Sequence, residues 1–425
     1  MQAANIGPVA PHERTQSPFD LFLIFAGANI VATTLQAGAA LTPAFGWSAA
    51  VALIGVGGVL GSALVASLAP LGPRLGVPSI IAARAALGTR GAGLVALVLY
   101  LTNFAWIAVN NVIAASASSR IAGGVGSQRL WAVALGVLAT AIVAGGPRLV
   151  GRADRVAVPL LLITGVGYTI ACLRLPAAVV RGPGAGTTHW IRGLDIVIAY
   201  QVSWILMFAD YSRYTRSAPR GAVAVFLGLA ITTLWFMPLG FMSARAAGSR
   251  HPGDMLEAVG LGSAGALLLT LGTVTTNFVN IYMSSLALKS LVPQVGERLS
   301  VWSTGLAGAA LSLLSAAWLD QYTTFMLVLG GTLVPVGGII LAHFFILRRP
   351  TDVAGLYERG GPHDRHGGFV IAGLAAWAAG SLTYARAAAV GGTLPALVVA
   401  IAVYVLLSAL SAPRIAGPGQ LRDSG

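Results

Sequence analysis

Apolar stretches of some 20 residues recur along nearly the whole chain, near 19–43, 47–70, 92–118, 130–147, 156–175, 193–210, 221–245, 261–289, 301–319, 322–347, 368–388 and 393–411. A helix needs about 20 apolar residues to cross the hydrocarbon core of a bilayer. Hydrocarbon also demands that every backbone polar group be paired inside the protein. A bundle of membrane-spanning helices meets both conditions. The pattern therefore predicts an all-α integral membrane protein with twelve transmembrane helices. Charged residues agree: they make up 9% of the 425 residues, against roughly 25% in a soluble domain. The longest connection, 348–367, is too short for a soluble domain. The polar start, MQAANIGPVAPHERTQSP, lacks a basic-then-apolar pattern, so no cleaved signal peptide is expected.

The net charge of +13 does not imply a nucleic-acid partner, because the basic residues stand singly between apolar runs. There they act as orientation signals. With the N-terminus in the cytoplasm, 18 of the 26 Lys and Arg residues fall inside. This predicts a multi-pass protein of the cell membrane with both termini cytoplasmic. The single cysteine, Cys172, excludes an internal disulfide framework.

All thirteen acidic residues map to loops or span ends, among them Asp20, Asp195, Asp210 and Asp320. No carboxylate is expected at the middle of the membrane, where proton pumps carry buried ionisable relays. The histidines show no metal-ligand spacing. His343 is the one expected within a span, near its cytoplasmic end, and a lone histidine there reads most simply as a packing residue.

Polar side chains break the apolar pattern chiefly in four spans. Span 1 reads FAGANIVATTLQAG, span 3 LTNFAWIAVNNVIAAS, span 6 AYQVSWILMFADYSRY and span 8 TVTTNFVNIYMSS. Such groups can act as helix–helix glue, at about 0.6 kcal/mol each on average. Their concentration in these four spans fits a shared cavity better. Spans 1 and 6, and spans 3 and 8, are the matched pairs of a transporter built from two inverted repeats of five spans, with interrupted helices at 1 and 6. Gly27 beside Asn29 is a candidate break in span 1; in span 6 the break would rest on Gln201 and Ser203. Trp106 and Asn110 share one side of span 3, and Asn277 and Asn280 one side of span 8. An indole beside an amide makes a flat slot with a hydrogen-bonding edge, suited to a neutral planar ligand.

These segments resemble the nucleobase–cation symporter-1 family, also called the purine–cytosine permease family, over nearly the whole chain. The carrying segments are HERTQSPFDLFLIFAGANI, RLGVPSIIAARAALGTRGA, SWILMFADYSRYTR, TVTTNFVNIYMSS and LVPVGGIILAHFFILRR. DYSRY is the most specific of them. In the last, His343 stands where the family usually has Asp. The resemblance implies a leucine-transporter-like fold. A cytoplasmic segment 1–18 would lead into a first five-helix repeat over 19–175 and a second over 193–347. Two peripheral helices over 368–411 and a cytoplasmic tail over 412–425 would follow.

The resemblance also implies a small heterocyclic substrate held between aromatics of spans 3 and 6 and read by polar groups of spans 3 and 8. Trp106 and Asn110 match span 3, Gln201 and Trp204 are both candidates in span 6, Asn277 and Asn280 match span 8, and Asn29 joins them from span 1. A coupling cation, sodium or proton, goes with it. Ala28, Gly272, Thr275 and Thr276 match the family's sodium ligands, while the two hydroxyls can equally back-bond to the preceding turn. No other cofactor is expected. Asp210 and Arg213 read either as an inner gate or as an ordinary span end with interfacial anchors. The hydroxymethylpyrimidine and cytosine branches both remain open. No nucleophile, carboxylate pair or metal site shares a depth, so an enzyme is not expected. Neither a filter motif nor a charged ring suggests a channel. An amino-acid or other small-solute symporter of the same fold is the remaining alternative.

Overall fold

Polar punctuation starts the first helix. The Ser17 hydroxyl accepts the Asp20 N–H and the Asp20 carboxylate accepts the Ser17 N–H, satisfying two donors that a helix start leaves open. The computed structural model describes residues 6–122, 125–314, 322–358, 360–387 and 389–410. Residues 315–321, with Asp320 and the expected end of span 9, and the expected tail 412–425 lie outside them.

The helices are numbered here by the stretch they occupy. Helix 1 is split into Pro18–Asn29 and Ala32–Ala39; helices 2 to 6 are Trp47–Leu68, Thr89–Ile121, Gln128–Ala144, Pro147–Leu173 and Trp190–Val202. Helices 7 to 12 are Ala218–Ala247, Gly262–Leu291, Glu297–Leu311, Tyr322–Leu341, Ile371–Ala387 and Thr393–Leu410. Among the described residues nine helices are long and apolar enough to cross a membrane, and the split helix 1 makes a tenth. The other two expected stretches carry the shorter helices 4 and 9, of which helix 4 is apolar but shorter than a span. The all-α class is as expected. Helices 3 and 8 pack along each other, helices 1, 2 and 6 surround helix 7 or one another, and helices 11 and 12 pair beside helix 10.

The two halves of helix 1 meet at 58°. Gly27, the expected breaker, stays inside the first half; the chain turns at Ile30 and Val31, which leave helical geometry. Opening a helix in hydrocarbon exposes backbone groups that must find partners. Thr34 Oγ1 donates to the Asn29 carbonyl at 2.5 Å and lies 2.5 Å from the Tyr200 hydroxyl of helix 6. The Asn29 amide nitrogen sits 2.8 Å from Thr232 Oγ1 and 2.9 Å from Thr233 Oγ1 on helix 7. Helix 6 ends at Val202 with Ser203 as its cap, and short turns follow at Ile205–Met207 and Ser212–Tyr214. Gln201 remains helical.

Two glycines let the second half of helix 1 lie directly against helix 7. A Cβ at Gly38 would stand 1.9 Å from the Met237 carbonyl oxygen, and one at Gly240 2.0 Å from that of Leu35. Close backbone approach through small residues is a principal source of helix association in lipid.

The acidic span ends serve as caps. Asp195 accepts the Thr393 N–H at the start of helix 12, at 2.7 Å, and Asp210 accepts the Ser79 N–H at 2.9 Å. Helix 10 closes in a wide turn over Ala342–Ile346. There His343 Nδ1 lies 2.7 Å from the Tyr404 hydroxyl, joining helix 10 to helix 12.

Candidate binding site

The break in helix 1 and the end of helix 6 face helices 3 and 8 around a small cavity. Its wall is Thr33 from helix 1, Asn103 and Trp106 from helix 3, Tyr200 from helix 6, Ser203, Trp204 and Met207 from the turns that follow it, and Thr276, Asn280 and Met283 from helix 8. The helix 3 and helix 8 residues are spaced by three or four, as one helical face requires. None of these side chains is charged. The Trp106 ring meets the edge of Phe325 at 5.1 Å. Two buried donors, Asn103 Nδ2 and Trp204 Nε1, have no hydrogen-bond partner among the described residues. A buried donor left unmade costs about 1–3 kcal/mol, so these two favour a ligand that brings acceptors.

The expected contacts divide. Trp106, Trp204, Asn280 and Thr276 line the cavity. Asn29, Asn110, Gln201 and Asn277 do not, and each is held by protein partners. Asn29 bonds helix 7, as described above. Gln201 donates to Ser62 Oγ at 2.7 Å, drawn to helix 2 because Gly61 leaves room for its stem. Asn110 and Asn277 belong to a ladder between helices 3 and 8. Asn110 Nδ2 donates to Asn277 Oδ1 at 3.1 Å, and Asn277 Nδ2 to Asn111 Oδ1 at 2.8 Å. Asn111 carries the ladder on to Ser312 at 3.0 Å. Asn280 stands between ladder and cavity, donating to Asn277 Oδ1 at 3.3 Å. Asn277→Leu is accordingly expected to cost about 1–3 kcal/mol by stranding its neighbours. It should lower the thermal midpoint and leave ligand affinity unchanged; midpoints with and without ligand check this.

Thr33, Asn103, Tyr200 and Ser203, polar groups of spans 1, 3 and 6 outside the expected contacts, also line the cavity. Asn103 lies three residues before Trp106, a spacing that marks the same face. Met207 and Met283 carry no polar signal.

The expected cation ligands are divided between two neighbouring cavities. Thr275 and Thr276 donate to the Gly272 carbonyl at 3.1 and 2.7 Å, so the back-bonding reading of the pair holds. Gly272 faces the break in helix 1: a Cβ there would lie 3.3 Å from the Ile30 carbonyl oxygen. Thr276 borders the central cavity, whereas Ala28 and Thr275 line a neighbouring one of about 980 Å³ between helices 1, 5 and 8. A hydroxyl that donates its proton keeps lone pairs for a hard cation. Among the described residues no cluster of His, Cys, Asp or Glu suits a transition metal.

The sequence from residue 8 to residue 407 matches the model of the permeases for cytosine/purines, uracil, thiamine and allantoin. The chain belongs to this family. It is a membrane transporter, not an enzyme. A putative purine-cytosine permease of Bacillus subtilis is 24% identical over 388 residues, covering 86% of this chain and 84% of that protein. The cytosine permease of Escherichia coli is 25% identical over 356 residues, 81% of each. In architecture the permease is similar to a nucleobase-cation-symport-1 family transporter solved in a closed conformation with bromovinylhydantoin bound. The TM-score is 0.83 at 20% identity, over 95% of this chain and 94% of that one.

In the permease residues 210–215 of the DYSRYTR segment are buried, and Arg216 is exposed. Arg213 is fully buried, donates to the Gly7 carbonyl at 3.3 Å and to the Tyr214 hydroxyl at 2.9 Å, and its guanidinium lies 4.8 Å from the Tyr214 ring centre. Residues 6–16 cross this face as a strap. Val9 N–H bonds the Gly76 carbonyl at 2.8 Å, Arg14 the Pro73 carbonyl at 2.5 Å, and Gln16 N–H the Tyr214 carbonyl at 3.0 Å. Tyr357 donates to the Ile6 carbonyl at 2.6 Å. Burial, opposed by Arg213 and Arg84, pushes the Tyr357 hydroxyl up to about 12, so it stays a donor throughout the physiological range.

Proposed function

We propose that the permease imports a neutral planar heterocycle, a nucleobase or hydroxymethylpyrimidine, by alternating access coupled to sodium. The carrying observation is the uncharged cavity walled by Trp106 and Trp204, with the open donors Asn103 Nδ2 and Trp204 Nε1 beside Asn280. Indole faces take a planar ring by stacking, and amide and indole N–H groups take its carbonyl or ring-nitrogen acceptors. The wall offers no cationic side chain to an amino-acid carboxylate. Sodium is held by the Thr275 and Thr276 hydroxyls with carbonyls of Ala28, Gly272 and the helix 1 break, a neutral oxygen set that suits a hard cation. Residues 19–175 and 193–347 form the two repeats, and 368–411 lies outside them. Asp210, Arg213 and the strap over 6–16 close the cytoplasmic face, the side assigned by the arginine distribution.

Thermal stabilisation of the purified permease tests this, because a ligand specific to the folded state raises the midpoint by mass action. Cytosine, uracil, hypoxanthine, adenine, allantoin, hydroxymethylpyrimidine and amino acids are compared in sodium and in potassium. A rise with a heterocycle, larger in sodium, is expected. A rise with an amino acid alone would overturn the substrate class, and uptake driven only by a pH gradient would overturn the ion. Thr276→Ala is expected to weaken sodium binding roughly ten-fold, the worth of one contact to a charged partner. The sodium concentration giving half-maximal stabilisation reads it.

A further inference from the structure

Where helix 2 and helix 10 end on the same face, an open cavity of about 870 Å³ lies between them. Arg74, Arg348, Arg349 and Thr351 line it, together with Phe344 and Phe345. Three cations around one cavity favour an anionic occupant. Among the described residues no carboxylate pairs with them: Arg74 lies over the Phe345 ring at 5.5 Å, and Arg349 donates to the Ser408 carbonyl at 2.9 Å. The Arg348 side chain is exposed, on left-handed backbone with φ of 48°. A non-glycine residue seldom takes that conformation. Here it turns the chain so that two successive arginines border one cavity. The buried Thr351 hydroxyl has no hydrogen-bond partner among the described residues.

The surroundings narrow the choice of anion. Leu71 and Leu75 complete the wall, and the neighbouring Ile346 is 49% exposed. The cavity thus sits at the end of two membrane-crossing helices, against apolar surface. An anion that carries its own hydrocarbon matches both halves. Guanidinium groups pair with phosphate oxygens through forked, charge-assisted hydrogen bonds, and basic pockets between transmembrane helices suit anionic headgroups.

We propose that this cavity binds an anionic phospholipid of the surrounding leaflet, its phosphate held by Arg74, Arg348 and Arg349 with Thr351 donating to it, and its acyl chains along Phe344 and Phe345. Such an occupant ties the end of helix 2 to the end of helix 10 and, through Arg349, to helix 12.

The test uses the full chain purified in detergent, with phosphatidylglycerol or phosphatidylcholine added to the micelles. Thermal midpoint and lipid retention by native mass spectrometry are read together. Phosphatidylglycerol is expected to raise the midpoint and to be retained, phosphatidylcholine not. The Arg74→Ala/Arg348→Ala double variant should retain phosphatidylglycerol at least about ten-fold less. A control of equal charge, Arg220→Ala/Arg298→Ala, should retain it as the unmodified protein does. If the double variant does not fold, Arg348→Ala alone carries the retention measurement, since that side chain is exposed. Equal retention of both lipids, or an equal loss in the control, overturns the proposal. Equal protection by inorganic phosphate overturns the lipid assignment in favour of a free anion.

Discussion

Trp106→Ala is expected to weaken heterocycle binding roughly 5–150-fold while leaving the permease folded. The indole is half-buried on helix 3, lines the cavity and is steadied by the edge of Phe325 at 5.1 Å. Losing one stacking face costs about 1–3 kcal/mol, roughly 5–150-fold in affinity. The variant also leaves Asn103 and Trp204 facing a wider, wetter slot. Its thermal midpoint without ligand should stay close to that of the parent, because the ring packs against a cavity rather than into the helix 3–helix 8 seam. Trp106→Phe should recover part of the binding, since a smaller aromatic face remains. Undiminished affinity in Trp106→Ala would mean that the ligand does not stack on this residue.

Gly240→Val is expected to prevent the permease from folding into a detergent-stable form. Its first added carbon would stand 2.0 Å from the Leu35 carbonyl oxygen, which is backbone and cannot rotate aside. Relief requires moving the second half of helix 1 away from helix 7, and with it Thr33 at the cavity. The expected cost reaches or exceeds roughly 3 kcal/mol, the upper end for ordinary overpacking. Gly38→Val, from the facing helix, should do the same, whereas Gly27→Ala, with open space at its Cβ, should be tolerated. Size-exclusion profiles and thermal midpoints of the three variants distinguish these outcomes.

Much of this architecture is legible before any coordinates. Apolar runs of membrane length and scattered arginines specify a helical membrane protein, because lipid forbids unpaired backbone over long distances. The clustering of polar groups in spans 1, 3, 6 and 8 locates the cavity among the helices, and spacing of three or four residues pairs Trp106 with Asn110 and Asn277 with Asn280, of which Trp106 and Asn280 line it. Periodicity states which residues share a face, but not how a helix is rotated about its axis. That rotation separates Asn280, at the cavity, from Asn277, bonded into the ladder three residues earlier.

It likewise sends Gln201 to Ser62 while Trp204, one turn on, lines the site. Asn29 reads from sequence as a ligand contact, yet helix 7 supplies two threonines that claim its amide. The break itself falls at Ile30 rather than at Gly27, because backbone opens where neighbouring side chains can take its freed groups, here Thr34 on the Asn29 carbonyl. Fold class and the membership of the polar cluster follow from local composition and period. Which amide faces the cavity and which holds two helices together depends on partners 139 to 203 residues away in the chain, so only the tertiary structure decides it.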